Sequence, residues 1–284
     1  MLNFFGNRVD DRAATITTLP AADLPEALGE QYSFLIIADA HFGSKSTNQH
    51  LDRFLAKFKE LCEAADKTKR PAFLINLGDI MDDGFQKEAD AYLALEKKMK
   101  KIALGKGVDD DVPEATLATY RTYAIVGNHD LYAQDGWDIW TRNIFPGTKY
   151  NTSYYNFTLG GFTYYFLDTG NATLGLAQLE DLEKRLSADA KPKLVFMHYP
   201  ISLDNSLIFT SFCLQNTKER NRLIHDFVRS DVRQVFTGHY HPGNENDFGN
   251  LREKTVKSFG YKEIVLLVHV DDSTKSVSYE EISF

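Results

Sequence analysis

The feature that most constrains the fold is a short apolar run that stops at a polar cluster, an arrangement found five times between residues 33 and 241. The polar residues that follow these runs are Asp39 and His41, Asp79, Asn128 and His129, His198, and His239 and His241. Short apolar runs bounded by turn residues are typical of buried strands. Ligands of open α/β sheets bind beyond the carboxyl ends of the strands. We therefore expect these side chains to meet in one pocket.

The segments between these runs predict the rest of the architecture. Apolar residues at helical spacing alternate with the predicted strands and indicate amphipathic helices at 51–62, 85–103, 175–186 and 216–229. Two β-hairpins are predicted, one at 153–168 around Gly160-Gly161 and one at 263–284 around Asp271-Asp272. The pattern predicts an α/β protein with a two-sheet β-sandwich flanked by helices. We expect an N-terminal arm (1–31) and a single domain (32–284).

Charge and hydropathy exclude several classes of partner. The net charge of −8 argues against sequence-independent binding to nucleic acid or to an anionic membrane, since both require a basic surface. No apolar run approaches the ~20 residues needed to span a bilayer. The first fifteen residues lack a basic region followed by a long apolar stretch, so we expect no secretory signal and a cytoplasmic location.

The residue types at the strand ends indicate a metal centre. Five of the eight histidines of the chain lie there, together with carboxylates and without cysteine. Imidazole and carboxylate ligands suit Zn, Fe or Mn. Seven candidate ligands are too many for one tetrahedral ion, but they suit two ions ~3.5–4 Å apart that share a carboxylate. Such pairs lower the pKa of a bound water and are used to hydrolyse phosphate esters.

These motifs resemble those of the calcineurin-like metallophosphoesterases. The matching motifs are DAH (39–41), GD (78–79), GNHD (127–130), His198 and GHYH (238–241), in the order of that family. The resemblance implies a two-sheet sandwich flanked by helices. It also implies two metal ions and hydrolysis of a phosphoester by a hydroxide that bridges them.

The resemblance also implies a role for each residue. One ion is expected to bind Asp39, His41 and His241, and the other to bind Asn128, His198 and His239. Asp79 is expected to bridge the two ions. His129 is expected to face the substrate phosphate and to protonate the leaving oxygen. Asp130 is expected to orient His129 through a ring nitrogen.

Departures from the pattern bear on the branch of the family. The serine/threonine protein phosphatases place an arginine at the position of Asp83 and a glutamate at that of Asp130. The tyrosine ligand of purple acid phosphatases has no counterpart that we can place. UDP-diacylglucosamine hydrolases usually carry an arginine at the position of His129. The acidic balance argues against the double-strand-break repair nuclease. GNHD with GHYH is most similar to the phosphodiesterase branch, so we expect a small phosphodiester substrate.

Two alternatives remain open. The same site could hydrolyse a phosphomonoester, because the choice depends on pocket walls that we place at 81–120, 131–150 and 199–216. The chain could instead be a non-catalytic scaffold on a degenerate metal site. The sequence leaves the substrate, the native metal pair and the oligomeric state undecided.

Overall fold

Two β-sheets face each other in the computed structural model, which describes residues 8–26, 28–203 and 212–284. The larger sheet has seven strands in the order β1-β5-β6-β7-β8-β10-β9, and the smaller has five in the order β12-β11-β2-β3-β4. In chain order the strands are β1 (Thr17–Thr18), β2 (Gln31–Ile37), β3 (Pro71–Asn76), β4 (Arg121–Ala124), β5 (Tyr155–Leu159), β6 (Phe162–Leu167), β7 (Lys193–Met197), β8 (Val232–Thr237), β9 (Asn244–Asp247), β10 (Arg252–Thr255), β11 (Ile264–Asp271) and β12 (Ser276–Ser283).

Helices cover the outer faces of both sheets. The described α-helices are α1 (Val9–Arg12), α2 (Lys45–Asn48), α3 (Leu51–Cys62), α4 (Gln86–Ala103), α5 (Glu114–Leu117), α6 (Gly136–Asn143), α7 (Gly147–Tyr150), α8 (Gly175–Ala188), α9 (Thr217–Arg229) and α10 (Phe259–Lys262). Helices α3, α4 and α6 pack on the five-stranded sheet, and α8 and α9 pack on the seven-stranded sheet. Within the described ranges, no helix combines the length and apolar composition needed to cross a bilayer.

An aromatic core fills the space between the sheets. Phe34 and Phe73 of the smaller sheet stack with ring centroids 4.9 Å apart, and Phe34 meets Phe196 of the larger sheet edge to face at 6.1 Å. All three side chains are fully buried. Offset and edge-to-face pairs of this kind add to the stabilisation that comes from area burial. The predicted fold class, a two-sheet sandwich flanked by helices, is therefore confirmed.

Strand direction brings the candidate site residues to one end of the sandwich. Strands β2, β3 and β4 are mutually parallel, as are β6, β7 and β8. Hydrogen bonds join the two sets just beyond their carboxyl ends, where the backbone N–H of His239 donates to Oδ1 of Asp39 at 2.8 Å. The Nδ1 of His198 likewise lies 2.8 Å from the carbonyl oxygen of Leu77.

Most predicted elements are present, and three short strands were not predicted. Both hairpins form, with β5 antiparallel to β6 and β11 antiparallel to β12. The missed strands are β1, β9 and β10. Strand β1 pairs with β5, so residues 17–18 of the expected N-terminal arm extend the larger sheet. Residues 1–7 of that arm lie outside the described residues.

Candidate metal centre

The turns after the strands hold their polar side chains in an uncommon backbone conformation. Asp39, His41, Asp79 and His239 all have positive φ, between 49° and 65°. Residues other than glycine adopt this left-handed region infrequently, and such residues cluster at functional sites. Hydrogen bonds fix the turns, since the N–H of His41 donates to the carbonyl of Asp79 at 2.9 Å. Four of the predicted metal ligands are thus held by strained backbone at the sheet ends.

A first group consists of Asp39, His41 and His241, whose potential ligand atoms lie within 4.8 Å of one another. The Nε2 atoms of the two histidines are 3.1 Å apart. Nε2 of His241 is 3.8 Å from Oδ1 of Asp39. Asp39 and His41 are almost completely buried, whereas His241 is partly exposed. This arrangement is compatible with three ligands of one metal ion.

A second group consists of Asp79, His198 and His239, again within 4.8 Å. Nε2 of His198 lies 3.3 Å from Oδ2 of Asp79 and 3.0 Å from Oδ1 of Asn128. Because the carbonyl of Leu77 can only accept a hydrogen bond, Nδ1 of His198 carries a ring proton, and Nε2 is the nitrogen that faces Asp79 and Asn128. Asn128 joins this group through its amide oxygen.

Asp79 lies between the two groups. Its Oδ2 is 3.3 Å from Nε2 of His198 and 3.8 Å from Nε2 of His41. Its other oxygen accepts a hydrogen bond from the backbone N–H of His129 at 2.8 Å. Among the described residues, Oδ2 of Asp79 and Oδ2 of Asp39 are buried without a hydrogen-bond partner. Buried carboxylate oxygens normally have partners, so these two fit a site that binds cations.

The charges of the two buried carboxylates favour positive charge beside Asp79. Burial tends to lower the pKa of His198, but the neighbouring charge of Asp79 opposes this effect, and the pKa is raised to about 9. Burial also disfavours the charged form of Asp79, yet His198 and His129 hold the pKa of Asp79 well below its usual range. Burial raises the pKa of Asp39 to about 7, with the charge of Asp79 adding to the effect. A bound cation would relieve the repulsion between these two carboxylates.

Burial favours the neutral form of the two outer histidines of the centre, His239 and His241. Burial lowers the pKa of His239 to about 3, and the neighbouring His198 contributes. Burial lowers the pKa of His241 to about 4, with a contribution from His41. Neutral imidazole is the form that binds a metal ion. These two side chains are therefore ready to act as ligands near neutral pH.

Close backbone approach explains two glycines of the motifs. A Cβ placed on Gly127 would lie 2.2 Å from Oδ1 and 2.3 Å from the backbone nitrogen of Asp79. A Cβ on Gly78, which has φ +90°, would lie 2.7 Å from the backbone nitrogen of Gly127. The GD and GNHD turns therefore touch at positions where only hydrogen fits.

The structure corrects the role expected for Asp130. Oδ1 of Asp130 accepts from the N–H of Met81 and Oδ2 accepts from the N–H of Gly127, both at 2.9 Å. The ring Nδ1 of His129 instead lies 2.6 Å from the backbone carbonyl of Asp82. Adjacent residues in the short 3₁₀ turn His129–Leu131 point their side chains apart, so Asp130 is buried while the ring of His129 reaches the pocket. The prediction that Asp130 orients His129 is wrong, and Asp130 joins the two turns.

His129 lies at the edge of both groups. Its ring centroid is 4.5 Å from that of His41, with the rings perpendicular. One of its nitrogens is also within 4.8 Å of ligand atoms of His41 and Asp79. The side chain is 28% exposed, so substrate can reach it. Asp82 lies beside both rings, with Oδ1 3.1 Å from Nδ1 of His41 and 4.0 Å from Nδ1 of His129.

Several aromatic residues border the centre. The ring of Tyr199, the residue after His198, stacks on that of His239 with centroids 3.8 Å apart. The ring of Tyr132 lies tilted against that of His129, with centroids 4.3 Å apart, and its hydroxyl accepts a hydrogen bond from Nδ2 of Asn128 at 2.9 Å. This bond directs Oδ1 of Asn128 toward the centre. A tyrosine four residues after a proposed ligand, on the same turn, was the available signal for Tyr132.

The expected pocket walls are partly described. The wall predicted at 199–216 includes residues 204–211, which lie outside the described residues. Oγ1 of Thr169 accepts from the N–H groups of His198 and Tyr199, both at 3.0 Å. Glu253 accepts from the N–H of Ile201 at 2.6 Å. These contacts tie the segment after β7 to the turn after β6 and to strand β10.

The fold is that of the metal-dependent phosphoesterases, and the clustered carboxylates and histidines are candidate ligands for metal ions. The chain matches the family model of the calcineurin-like phosphoesterases over residues 32–243. It therefore belongs to the calcineurin-like phosphoesterase family. No curated protein sequence matches the chain.

Solved structures with the same fold are distant in sequence. A dimetal phosphatase from Danio rerio shares 14% identity with a TM-score of 0.55, and the match covers 89% of this chain and 99% of that one. GAP50, described as the anchor in the inner membrane complex of Plasmodium, shares 14% identity with a TM-score of 0.55 over 89% of each chain. A putative 5'-nucleotidase from Staphylococcus aureus shares 15% with a TM-score of 0.54, covering 89% of this chain and 53% of that one. At these identities the similarity establishes the fold.

Proposed function

We propose that this chain is a binuclear metal-dependent phosphoesterase that hydrolyses a small phosphodiester. The observation that carries the proposal is the buried Oδ2 of Asp79, which has no hydrogen-bond partner among the described residues and lies between His41 and His198. A carboxylate oxygen in this position suits a bridge between two ions. Asp39, His41 and His241 would hold one ion, and Asn128, His198 and His239 the other.

The donor set suits Mn, Fe or Zn, because it combines imidazole and carboxylate without thiolate. Two ions bound here would lower the pKa of a water molecule and neutralise charge on the phosphate oxygens. The protein's own contribution is to hold the ligands in fixed geometry. The strained turns serve this purpose, as do the hydrogen bonds that Nδ1 of His198 donates to Leu77 and that Nδ2 of Asn128 donates to Tyr132.

His129 would act on the substrate directly. Its Nδ1 must carry a proton, since the partner carbonyl of Asp82 can only accept a hydrogen bond. The opposite nitrogen, Nε2, is then available to donate a proton to the leaving oxygen when the ring is charged. The backbone N–H of His129 is bound to Oδ1 of Asp79, which fixes the ring relative to the metal centre. These contacts support a general acid role.

Metal analysis and two model esters test the proposal. The purified chain is reloaded with Mn and assayed with bis-p-nitrophenyl phosphate and with p-nitrophenyl phosphate. We expect two ions per chain and faster turnover of the diester. Faster turnover of the monoester would replace the diester assignment with a phosphomonoesterase. No bound metal and no turnover of either ester would refute the enzyme and favour a scaffold role.

A further inference from the structure

An exposed aromatic ring lies against the candidate metal centre. Among residues 8–26, 28–203 and 212–284, the exposed large hydrophobic side chains are Phe85, Val108, Leu176, Phe212 and Tyr261. Of these, Phe212 and Tyr261 contact rings of proposed metal ligands. Tyr261 is the more exposed of the two, at 47%. Exposed aromatic side chains are common on protein surfaces singly, but one beside a catalytic centre is a candidate contact for substrate.

The ring of Tyr261 lies at the end of the centre formed by His41 and His241. Its centroid is 5.0 Å from that of His241, with 19° between the ring planes. It is 5.4 Å from the ring of His41. One part of the tyrosine therefore packs on the ligand rings, and the exposed part borders the space beside them.

Hydrogen bonds hold the short helix that carries this tyrosine. Helix α10 is docked on the turn after β2, where the N–H of Phe259 donates to the carbonyl of Ala38 at 2.8 Å. The carbonyl of Asp39 accepts from Oγ of Ser258 at 2.9 Å and from the N–H of Gly260 at 3.2 Å. The same turn that carries Asp39 thus positions Tyr261. A ring held in this way loses little conformational freedom when it binds a ligand.

We propose that Tyr261 is a specificity-determining residue that stacks on a planar aromatic group of the substrate. The inference rests on the proposed function, because it places the phosphoryl group at the two ions and the organic group of the ester against Tyr261. The preferred substrates are then phosphoesters whose ester group carries an aromatic ring or a nucleobase. Stacking of planar rings tolerates many ring types, so the contact selects a class of substrate rather than one compound.

Binding of two phosphonates, which are not hydrolysed, tests the inference without relying on turnover. Phenylphosphonate and methylphosphonate are titrated into the Mn-loaded protein by calorimetry. We expect phenylphosphonate to bind about 3- to 10-fold more tightly to the wild type, the range for one aromatic contact. Tyr261→Ala should remove this preference and leave the affinity for methylphosphonate unchanged. Tyr261→Phe should retain it, because the ring remains.

Controls separate this role from a structural one. Leu176→Ala removes an exposed side chain at the start of α8, a helix that packs on the outer face of the seven-stranded sheet, and should change neither affinity. If Tyr261 only supported the centre, Tyr261→Ala would weaken both phosphonates alike and lower the metal content. The inference would be overturned by that loss of affinity for both phosphonates. It would also be overturned if the wild type bound the two phosphonates equally well or bound neither. Hydrolysis of the two model esters tests the phosphoesterase activity separately. A protein that hydrolyses these esters but binds the two phosphonates equally would refute only the role of Tyr261.

Discussion

Replacing Gly127 by alanine should disrupt the candidate centre more than any other single-methyl change. The added Cβ would lie 2.2 Å from Oδ1 and 2.3 Å from the backbone nitrogen of Asp79. Neither atom can move alone, since Oδ1 accepts from the N–H of His129 and the carbonyl of Asp79 accepts from the N–H of His41. The GD and GNHD turns must separate by about 1 Å to reach ordinary contact distance.

The magnitude follows from that displacement. Overpacking of this kind costs about 1–3 kcal/mol of stability. A displacement of ~1 Å at a catalytic centre reduces turnover by roughly 100-fold. Urea unfolding of the metal-free protein measures the first effect, and Mn titration with diester hydrolysis measures the second. Gly127→Ala is expected to be a folded protein with weakened metal binding and low activity.

Gly29→Ala is the matched control. A Cβ at Gly29 meets only the carbonyl oxygen of Gln31, at 3.8 Å. This variant should unfold at the same urea concentration as the wild type and keep full activity. If Gly127→Ala also bound two ions with unchanged affinity and kept turnover within about twofold, the close contact of the two turns would not matter and the reasoning would fail.

Three further predictions concern other parts of the chain. His129→Ala should lower kcat by roughly 10²–10⁴ with metal content unchanged, as measured by steady-state kinetics and elemental analysis; loss of metal would make His129 a ligand. Arg12→Met should lower the free energy of unfolding by about 3 kcal/mol in urea denaturation, because Asp168 would lose the buried partner that it binds at 2.8 Å; an unchanged midpoint would contradict this. Burial raises the pKa of Glu253 from 4.5 to about 7 against the opposing hydrogen bond from Ile201, so the folded state keeps a proton that the unfolded chain releases. Stability should therefore fall as pH rises through that window, by at most about 3 kcal/mol, and Glu253→Gln should flatten the fall in thermal unfolding measured across the same pH range.

The sequence predicted which side chains meet, because parallel strands place their carboxyl ends together. Asp39, Asp79 and His198 follow three different apolar runs, and a common pocket follows from strand direction. In the structure His198 lies 3.3 Å from Asp79, and Asp39 lies 3.8 Å from His241. Each of the three belongs to a group of potential metal ligands. Metal binding by these residues stays a prediction, which Mn titration and metal stoichiometry test.

The sequence did not predict contacts that depend on backbone geometry between distant segments. Asp130 and His129 are neighbours in the chain, but the turn directs the carboxylate toward the N–H groups of Met81 and Gly127. Tyr261 reaches the centre only because α10 docks on carbonyl groups of residues 38 and 39. No local pattern encodes either contact.

The missed strands have a similar explanation. Strands β9 (NEND) and β10 (REKT) are short and polar, so they lack the apolar run or alternation that marks a strand. They form because β10 pairs with β8 and β9 pairs with β10 at the sheet edge. Charged residues on such an edge also discourage pairing with other chains.

Metal stoichiometry of the wild type and of Asp79→Asn tests the central claim most directly. Both proteins are stripped with chelator, reloaded with Mn, desalted and analysed for metal per chain, with diester hydrolysis measured on the same samples. The account predicts two ions and turnover for the wild type. For Asp79→Asn it predicts loss of at least one ion together with the activity, because the carboxylate oxygen that we propose as the bridge, between His41 and His198, is replaced by a weaker ligand. A wild type that binds one ion or none, or an Asp79→Asn variant that keeps two ions and full turnover, would contradict it.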